Sequence, residues 1–262
     1  MKIEILLSTY NEGLEKVKIN SAFNYLIIHQ VSNTLEKKYG ELFAFKYGIN
    51  ENIRYVQCVD EKGLAKSRNP AIKNSKGDFV WIMDDDVEIF EGTFSTLERL
   101  ISSSDCKKIG VFLLNFTTNY KDSVFCASEF QFKNLTPFNS FNVSSVNMLI
   151  NNKLLNGNVL FDERFGLGTS LPSGEEYIYL NDVLKRGFKI VQTNIVASFH
   201  PPLHSGIDFY STKEKVLAKK YMFKRVFGKI GIFLFLMFFL KKTPTLYRQK
   251  SIKSFFKFWL LK

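Results

Sequence analysis

The sequence predicts an α/β sandwich built on a mostly parallel sheet, with an amphipathic helical tail. Three observations predict it. Short apolar runs alternate with mixed segments of helix length through the first hundred residues. Polar, acid-bearing turns follow the first and fourth of these runs. The composition then changes abruptly near residue 213.

"IEILLS" (3–8), "YLIIH" (25–29), "IRYVQCV" (53–59) and "FVWIM" (79–83) have the length and branching of strands. The stretches near 12–20, 33–46 and 63–75 read as helices between them. Strands apolar on both faces and separated by helices belong in a largely parallel sheet. Ligands of such sheets sit beyond the carboxyl ends of the strands. "STYNEG" follows the first run and "DDD" follows the fourth, so both are expected on that edge. "KIGVFLLNF" (108–116) and "VFCASEFQF" (124–132) read as further strands. "SGEEYIYLNDVLKRG" (173–187) reads as a helix, with Ser173 to cap it, Glu175 and Glu176 in its first turn and Gly187 to stop it.

The formal charge of +11 is unevenly placed. From Lys213 onward there are 14 Lys and Arg against the single acid Glu214, which leaves 22 basic and 24 acidic residues in the first 212. The body is near neutral and the basicity belongs to the tail. Cys58, Cys106 and Cys126 are odd in number and lack C-x-x-C spacing, which points away from a disulfide framework or a zinc site and toward a reducing cytoplasm. "MKIEILLSTYNEG" carries Glu4 within its apolar run and reads as a first strand, not a signal peptide.

Asp84, Asp85 and Asp86 stand in a row at the end of a buried strand. Their mutual repulsion near a low-dielectric strand end calls for a compensating cation, and all-oxygen ligation suits Mg²⁺ or Mn²⁺. The plainer alternative is an exposed acidic turn. Lys66 and Arg68 stand at a probable helix start, suited to meeting a diphosphate or simply a solvated basic face. Glu175 and Glu176 suit general-base work on a hydroxyl, or complement the helix dipole. His200, ending "VASFH", is a metal ligand or a satisfied strand-end histidine.

Taken in order, "STYNE", "GLAKSRNPAI", "FVWIMDDDVEI", "FDERFGLGTSLPSGEEYIYLNDVLKRGFKI" and "SFHPP" resemble the family 2 glycosyltransferases, over about residues 3–202. The resemblance implies a GT-A fold, a Rossmann-like nucleotide-binding sandwich, across residues 1–212. About 1–110 would be the nucleotide-sugar-binding half, about 111–212 the acceptor-binding half, and 213–262 a membrane-associating tail. It implies that Thr9, Tyr10, Asn11 and Glu12 cradle base and ribose, and that Arg68 lies on the nucleotide side, where Lys66 beside it would also meet the donor. Asp84 and Asp86 match the D-x-D pair, Asp84 for ribose or sugar and Asp86 for the metal, with Asp85 in the middle position. Glu175 and Glu176 match a pair whose second member is the catalytic base of inverting members, and His200 matches a histidine near diphosphate and metal. The family commonly ends its second strand with an aspartate that reads the base. Here Gln30 stands in that region, and its amide can both donate to and accept from a uracil edge. The expected donor is therefore a nucleotide sugar, a UDP-sugar above all, with Mn²⁺ or Mg²⁺ as cofactor. The alternatives are a sugar-nucleotide pyrophosphorylase, whose Gly-rich loop "STYNEG" lacks, and a non-catalytic relative with a decayed site.

In the tail, Ile230 to Leu240 are eleven residues without charge between Lys229 and Lys241. A bilayer span needs about 20, so an in-plane position at a membrane surface is the expectation. "SIKSFFKFWLLK" places Ile252, Phe255, Phe256 and Trp259 on one helical face opposite Lys253, Ser254 and Lys257. Lysines beside anionic lipid add attraction, and a saccharide acceptor, lipid-linked at the cytoplasmic leaflet, would explain such a tail. The alternative is a tail that folds back as core. Nucleic acid is not expected, because long Phe and aliphatic runs do nothing for phosphate contacts.

Overall fold

A computed structural model describes residues 1–48, 50–103, 106–119, 129–202, 208–252 and 255. The four predicted apolar runs are strands β1 (Ile3–Tyr10), β2 (Asn24–Val31), β3 (Ile53–Val59) and β4 (Phe79–Asp84). They pair in parallel in the order β3-β2-β1-β4. The chain thus builds outward on one side of β1 and returns on the other, which makes the carboxyl ends of β1 and β4 a topological switch point.

Beyond β4 the sheet is mixed, with short antiparallel strands added to the parallel ones. The remaining strands are β5 (Glu88–Ile89), β6 (Ile109–Thr117), β7 (Phe132–Asn134), β8 (Met148–Ile150) and β9 (Lys189–Phe199). β8 lies antiparallel between β4 and β6, while β6 and β9 are parallel and β5 and β7 are antiparallel to β9. The predicted strand over 108–116 is β6. That over 124–132 falls largely on residues 120–128, outside the described residues, and only Phe132 of it enters β7.

The helices are α1 (Gly13–Lys16), α2 (Glu36–Tyr47), α3 (Leu64–Asn74), α4 (Thr93–Ser103), α5 (Asn152–Leu155), α6 (Glu175–Lys185), α7 (Lys213–Phe227) and α8 (Gly231–Arg248). The helix expected over 12–20 stops after one turn. Lys46 Nζ of α2 donates to the carbonyls of Leu14, Glu15 and Val17 at 3.3, 3.0 and 3.0 Å, so the freed acceptors are satisfied without further helix.

Alternating side chains put Ile3, Ile5, Leu7 and Trp81 in one apolar layer and Leu6, Val80 and Ile82 in the layer on the opposite sheet face. Glu4, unexpected in such a strand, is buried. Its carboxylate accepts from Arg54 at 2.9 Å, Ser75 at 2.7 Å and the Lys76 amide at 2.6 Å, which fixes the turn leading into β4. Burial pushes the Glu4 pKa up, but these bonds outweigh it and hold the pKa below the usual range.

The tail does fold back as core along its inner faces. Phe165, Tyr177 and Ile178 pack with Val216, Met222 and Phe223 of α7 and with Phe235 and Phe239 of α8. Arg225 forks onto Asp182 of α6 at 3.2 and 2.7 Å and reaches Asp162 at 3.0 Å. Residues 253, 254 and 256–262 of the expected in-plane helix lie outside the described residues. Among the described residues, no helix is long and apolar enough to cross a membrane.

Candidate active site

A cleft of about 540 Å³ opens at the switch point between β1 and β4. Ser8, Thr9 and Tyr10 come from the end of β1, Gln30 from β2, and Asp84, Asp85 and Asp86 from the end of β4. Lys62, Gly63 and Ser67 contribute from the start of α3, Leu167 and Gly168 from the loop before α6, and His200 and Pro202 from beyond β9. The loop closes on α3 through backbone alone. Leu64 N–H donates to Leu167 O at 2.9 Å, and a Cβ on Gly168 would stand 3.0 Å from the Gly63 backbone. Gly168 has φ +86°, so this approach needs glycine on both counts.

The three aspartates face three different partners. Asp85 accepts from Thr9 Oγ1 at 2.6 Å and packs so tightly under α1 that a Cβ on Gly13 would meet its carboxylate at 2.0 Å. Burial pushes the Asp85 pKa up and the flanking aspartates push the same way, against the Thr9 bond. Asp84 accepts from Arg68 Nη2 at 3.2 Å. Asp86, the most open, has Oδ1 3.6 Å from His200 Nε2.

Arg68 connects the cleft to the helix start "GEE". Its side chain is fully buried under a cation–π contact with Phe161. Nη2 also donates to Ser145 Oγ at 2.6 Å, and Nη1 lies 3.4 Å from Glu176 Oε1 and 3.7 Å from Glu175 Oε1. Burial alone would lower its pKa; Asp84, Glu176 and Glu175 outweigh that and raise it. One cation therefore serves carboxylates from β4 and α6.

The two glutamates differ. Glu175 is 3 % exposed, touches the Gly166 backbone and leaves Oε2 without a partner. Burial and the charge of Glu176 push its pKa up to about 8, with Arg68 and Lys219 opposing in part. Glu175 thus holds its proton at neutral pH. Glu176 keeps 18 % of its side chain in solvent while Arg68 holds it. Lys219 of α7 faces both glutamates; burial lowers its pKa and their charges oppose the shift. α7 is fixed there because Met222 packs against Gly174, the cap of α6, at a place where a Cβ would meet sulfur at 2.9 Å.

His200 Nδ1 lies 2.5 Å from the Pro201 carbonyl, which can only accept, so Nδ1 carries the hydrogen and Nε2 is the nitrogen turned toward Asp86. An imidazole nitrogen and a half-exposed carboxylate 3.6 Å apart fit a divalent cation that takes its remaining ligands from oxygen atoms. Among the described residues no group of three or more His, Cys, Asp or Glu forms a closed metal cage.

Of the residues singled out from sequence, Thr9, Tyr10, Gln30, Asp84, Asp85, Asp86 and His200 line the cleft. Gln30 Nε2 donates to Gly63 O at 3.2 Å, which ties β2 to the start of α3. Asn11, Glu12 and Lys66 are not lining residues. Asn11 instead clasps Ser32, accepting from its N–H at 3.0 Å, in a left-handed conformation with φ 44°. Glu12 is an exposed helix cap and Lys66 is exposed. The two basic residues expected on the nucleotide side thus part ways: the 3.6-residue period of α3 turns Arg68 inward with Ala65 and Ile72, and Lys66 outward. Lys62, before the helix, is the lysine at the cleft, 5.7 Å over the Tyr10 ring. Lys62, Ser145 and Lys219 were not foreseen; only "GLGTS", with two glycines 166 and 168, signalled the closing loop.

A mixed sheet with an acid-bearing switch point and a carboxylate pair at a following helix start defines the GT-A class, and solved structures share that fold. TarS 1–349 of S. aureus in complex with UDP aligns with a TM-score of 0.57 at 18 % identity, over 87 % of this chain and 66 % of that one. The mannosyltransferase PcManGT of Pyrobaculum calidifontis, in complex with GDP-Man and Mn²⁺, gives 0.53 at 11 %, over 86 % and 63 %. GalNAc-T7 with UDP, GalNAc and Mn²⁺ gives 0.52 at 15 %, over 83 % and 47 %. The chain therefore spans less than two thirds of the length of each of these. The glycosyl transferase family 2 model matches residues 38–154, a span that holds "GLAKSRNPAI" and the three aspartates. No curated protein sequence matches it.

Proposed function

We propose that this protein is an inverting glycosyltransferase that moves a sugar from a nucleoside diphosphate sugar, with UDP as the carrier, to a hydroxyl of a saccharide acceptor. The observation that carries the reading is Arg68, which joins Asp84 at the cleft to Glu176 at the start of α6. Donor binding and proton removal would share that one buried cation.

Nucleoside and diphosphate fill the cleft between Thr9, Gln30 and Asp84. Asp86 and His200 would hold a divalent cation, Mn²⁺ or Mg²⁺, which would supply neutralisation of a diphosphate leaving group. Glu176 accepts the proton of the attacking hydroxyl, since it is partly open to solvent and Arg68 Nη1 lies 3.4 Å from its Oε1. Glu175, buried and protonated, backs it and reads as a positioning group. The acceptor is lipid-linked, in synthesis of a cell-surface polysaccharide or glycolipid, and the protein is cytoplasmic and peripheral to the membrane. The basic, acid-free tail supports that part of the reading. Glu176→Gln tests the assignment: transfer should be abolished with donor binding kept, and normal turnover in that variant would refute it.

A further inference from the structure

Six residues at three- and four-residue spacing run along the solvent side of α8 and its cap: Ile230, Phe233, Met237, Leu240, Pro244 and Tyr247. At 100° per residue they fall within an arc of about 100°. The opposite side, Gly231, Phe235, Phe239 and Leu246, is buried against α7 and Phe255, so the inner face is already committed to the fold. The five large side chains of the outer stripe are 50–77 % exposed, far more than packing requires.

Charge says what covers them. Lys229, Lys241 and Arg248, all exposed, border the stripe on the helical wheel, and the sequence holds no Asp or Glu from Lys215 to its last residue. Apolar side chains whose charged neighbours are all long and cationic are the pattern of a helix lying in a bilayer interface, the methylene stems running along the apolar zone and the heads reaching lipid phosphates. A second copy of the chain is the poorer occupant, because it would bring an equally basic tail against this one.

We infer that the outer stripe of α8 is the docking surface for an anionic lipid bilayer. The inference rests on the peripheral-membrane part of the proposed function and assigns its contact to one face of α8. Because the inner face of α8 packs through α7 onto α6, the docking surface and Glu176 belong to one packed unit.

The test is vesicle sedimentation of the full chain with phosphatidylcholine alone and with phosphatidylcholine containing one quarter phosphatidylglycerol, at low and high salt, for the wild type and for Phe233→Glu/Met237→Glu. The wild type should bind the anionic vesicles at least about tenfold more tightly than the neutral ones, less so at high salt. The double variant should lose at least about tenfold of that affinity. Its melting temperature and nucleotide binding should be unchanged, since both side chains are exposed and neither lines the cleft. Failure of the wild type to bind anionic vesicles, or equal binding by the variant, would overturn the inference. So would light scattering that finds a dimer which the variant breaks. Nucleotide binding measured on the same samples separates this failure from failure of the glycosyltransferase reading.

Discussion

Replacing Arg68 by Met probes the linkage on which the account rests. The substitution keeps an unbranched chain against Phe161 and removes the one cation that, among the described residues, lies within 4 Å of Asp84, Glu175 and Glu176. It also strips Ser145 Oγ of its 2.6 Å bond. Breaking a buried charge network from one side costs about 3–5 kcal/mol, and in a chain of this size that is a fall in Tm of about 10 °C. The sign with pH follows from linkage. Arg68 opposes the rise in the Glu175 pKa, so its pull on that carboxylate counts as Glu175 ionises near pH 8 and is lost by pH 5, where Glu175 is protonated. The deficit of Arg68→Met should therefore be large at pH 8 and smaller at pH 5. Thermal unfolding followed by circular dichroism at the two pH values reads this directly. Arg68→Lys should recover only part, because a point ammonium cannot span Asp84 and the glutamates together. A loss under about 1 kcal/mol at pH 8, or a deficit that grows on acidification, would refute the reasoning.

Two further outcomes follow from the same cluster. Glu175 has a folded pKa of about 8 against an ordinary 4.5, so its proton stabilises the fold at low pH and that contribution is lost as pH rises between those values. Glu175→Gln copies the protonated form: in chemical denaturation it should match the wild type near pH 5 and exceed it at pH 8, by a few kcal/mol at most. Lys219→Met removes a cation facing both glutamates, so the ascending limb of kcat/KM against pH should move to higher pH while Lys219→Arg keeps it in place. An unmoved limb in Lys219→Met would reduce Lys219 to a packing role.

How much of this was legible in the sequence depends on the range of the interaction. β1 to β4 were readable because each is a local apolar run, and the switch point followed from their order. The carboxylates and His200 were readable because acids and a histidine at strand ends are unusual where they stand. β8 was not, since three residues inserted antiparallel between β4 and β6 carry no local period. Lys66 and Arg68 look alike in sequence, and only the phase of α3 decides which one turns inward. Lys219 was out of reach because nothing within α7 points to α6; the link is Met222 against Gly174, a contact across 48 positions. The tail's chemistry was read correctly as apolar and basic together, but its division into a committed inner face and a free outer stripe needed the packing of α8.

The most direct measurement is calorimetric titration of the protein with UDP, GDP, dTDP and CMP, each with Mn²⁺ and again with EDTA, beside Asp86→Ala. Asp86 is 42 % exposed, so its loss should leave the melting temperature unchanged. The account predicts binding of UDP that requires Mn²⁺ and disappears in Asp86→Ala. Absence of binding by any of the nucleotides with or without metal, or equal binding by a folded Asp86→Ala protein, would contradict it.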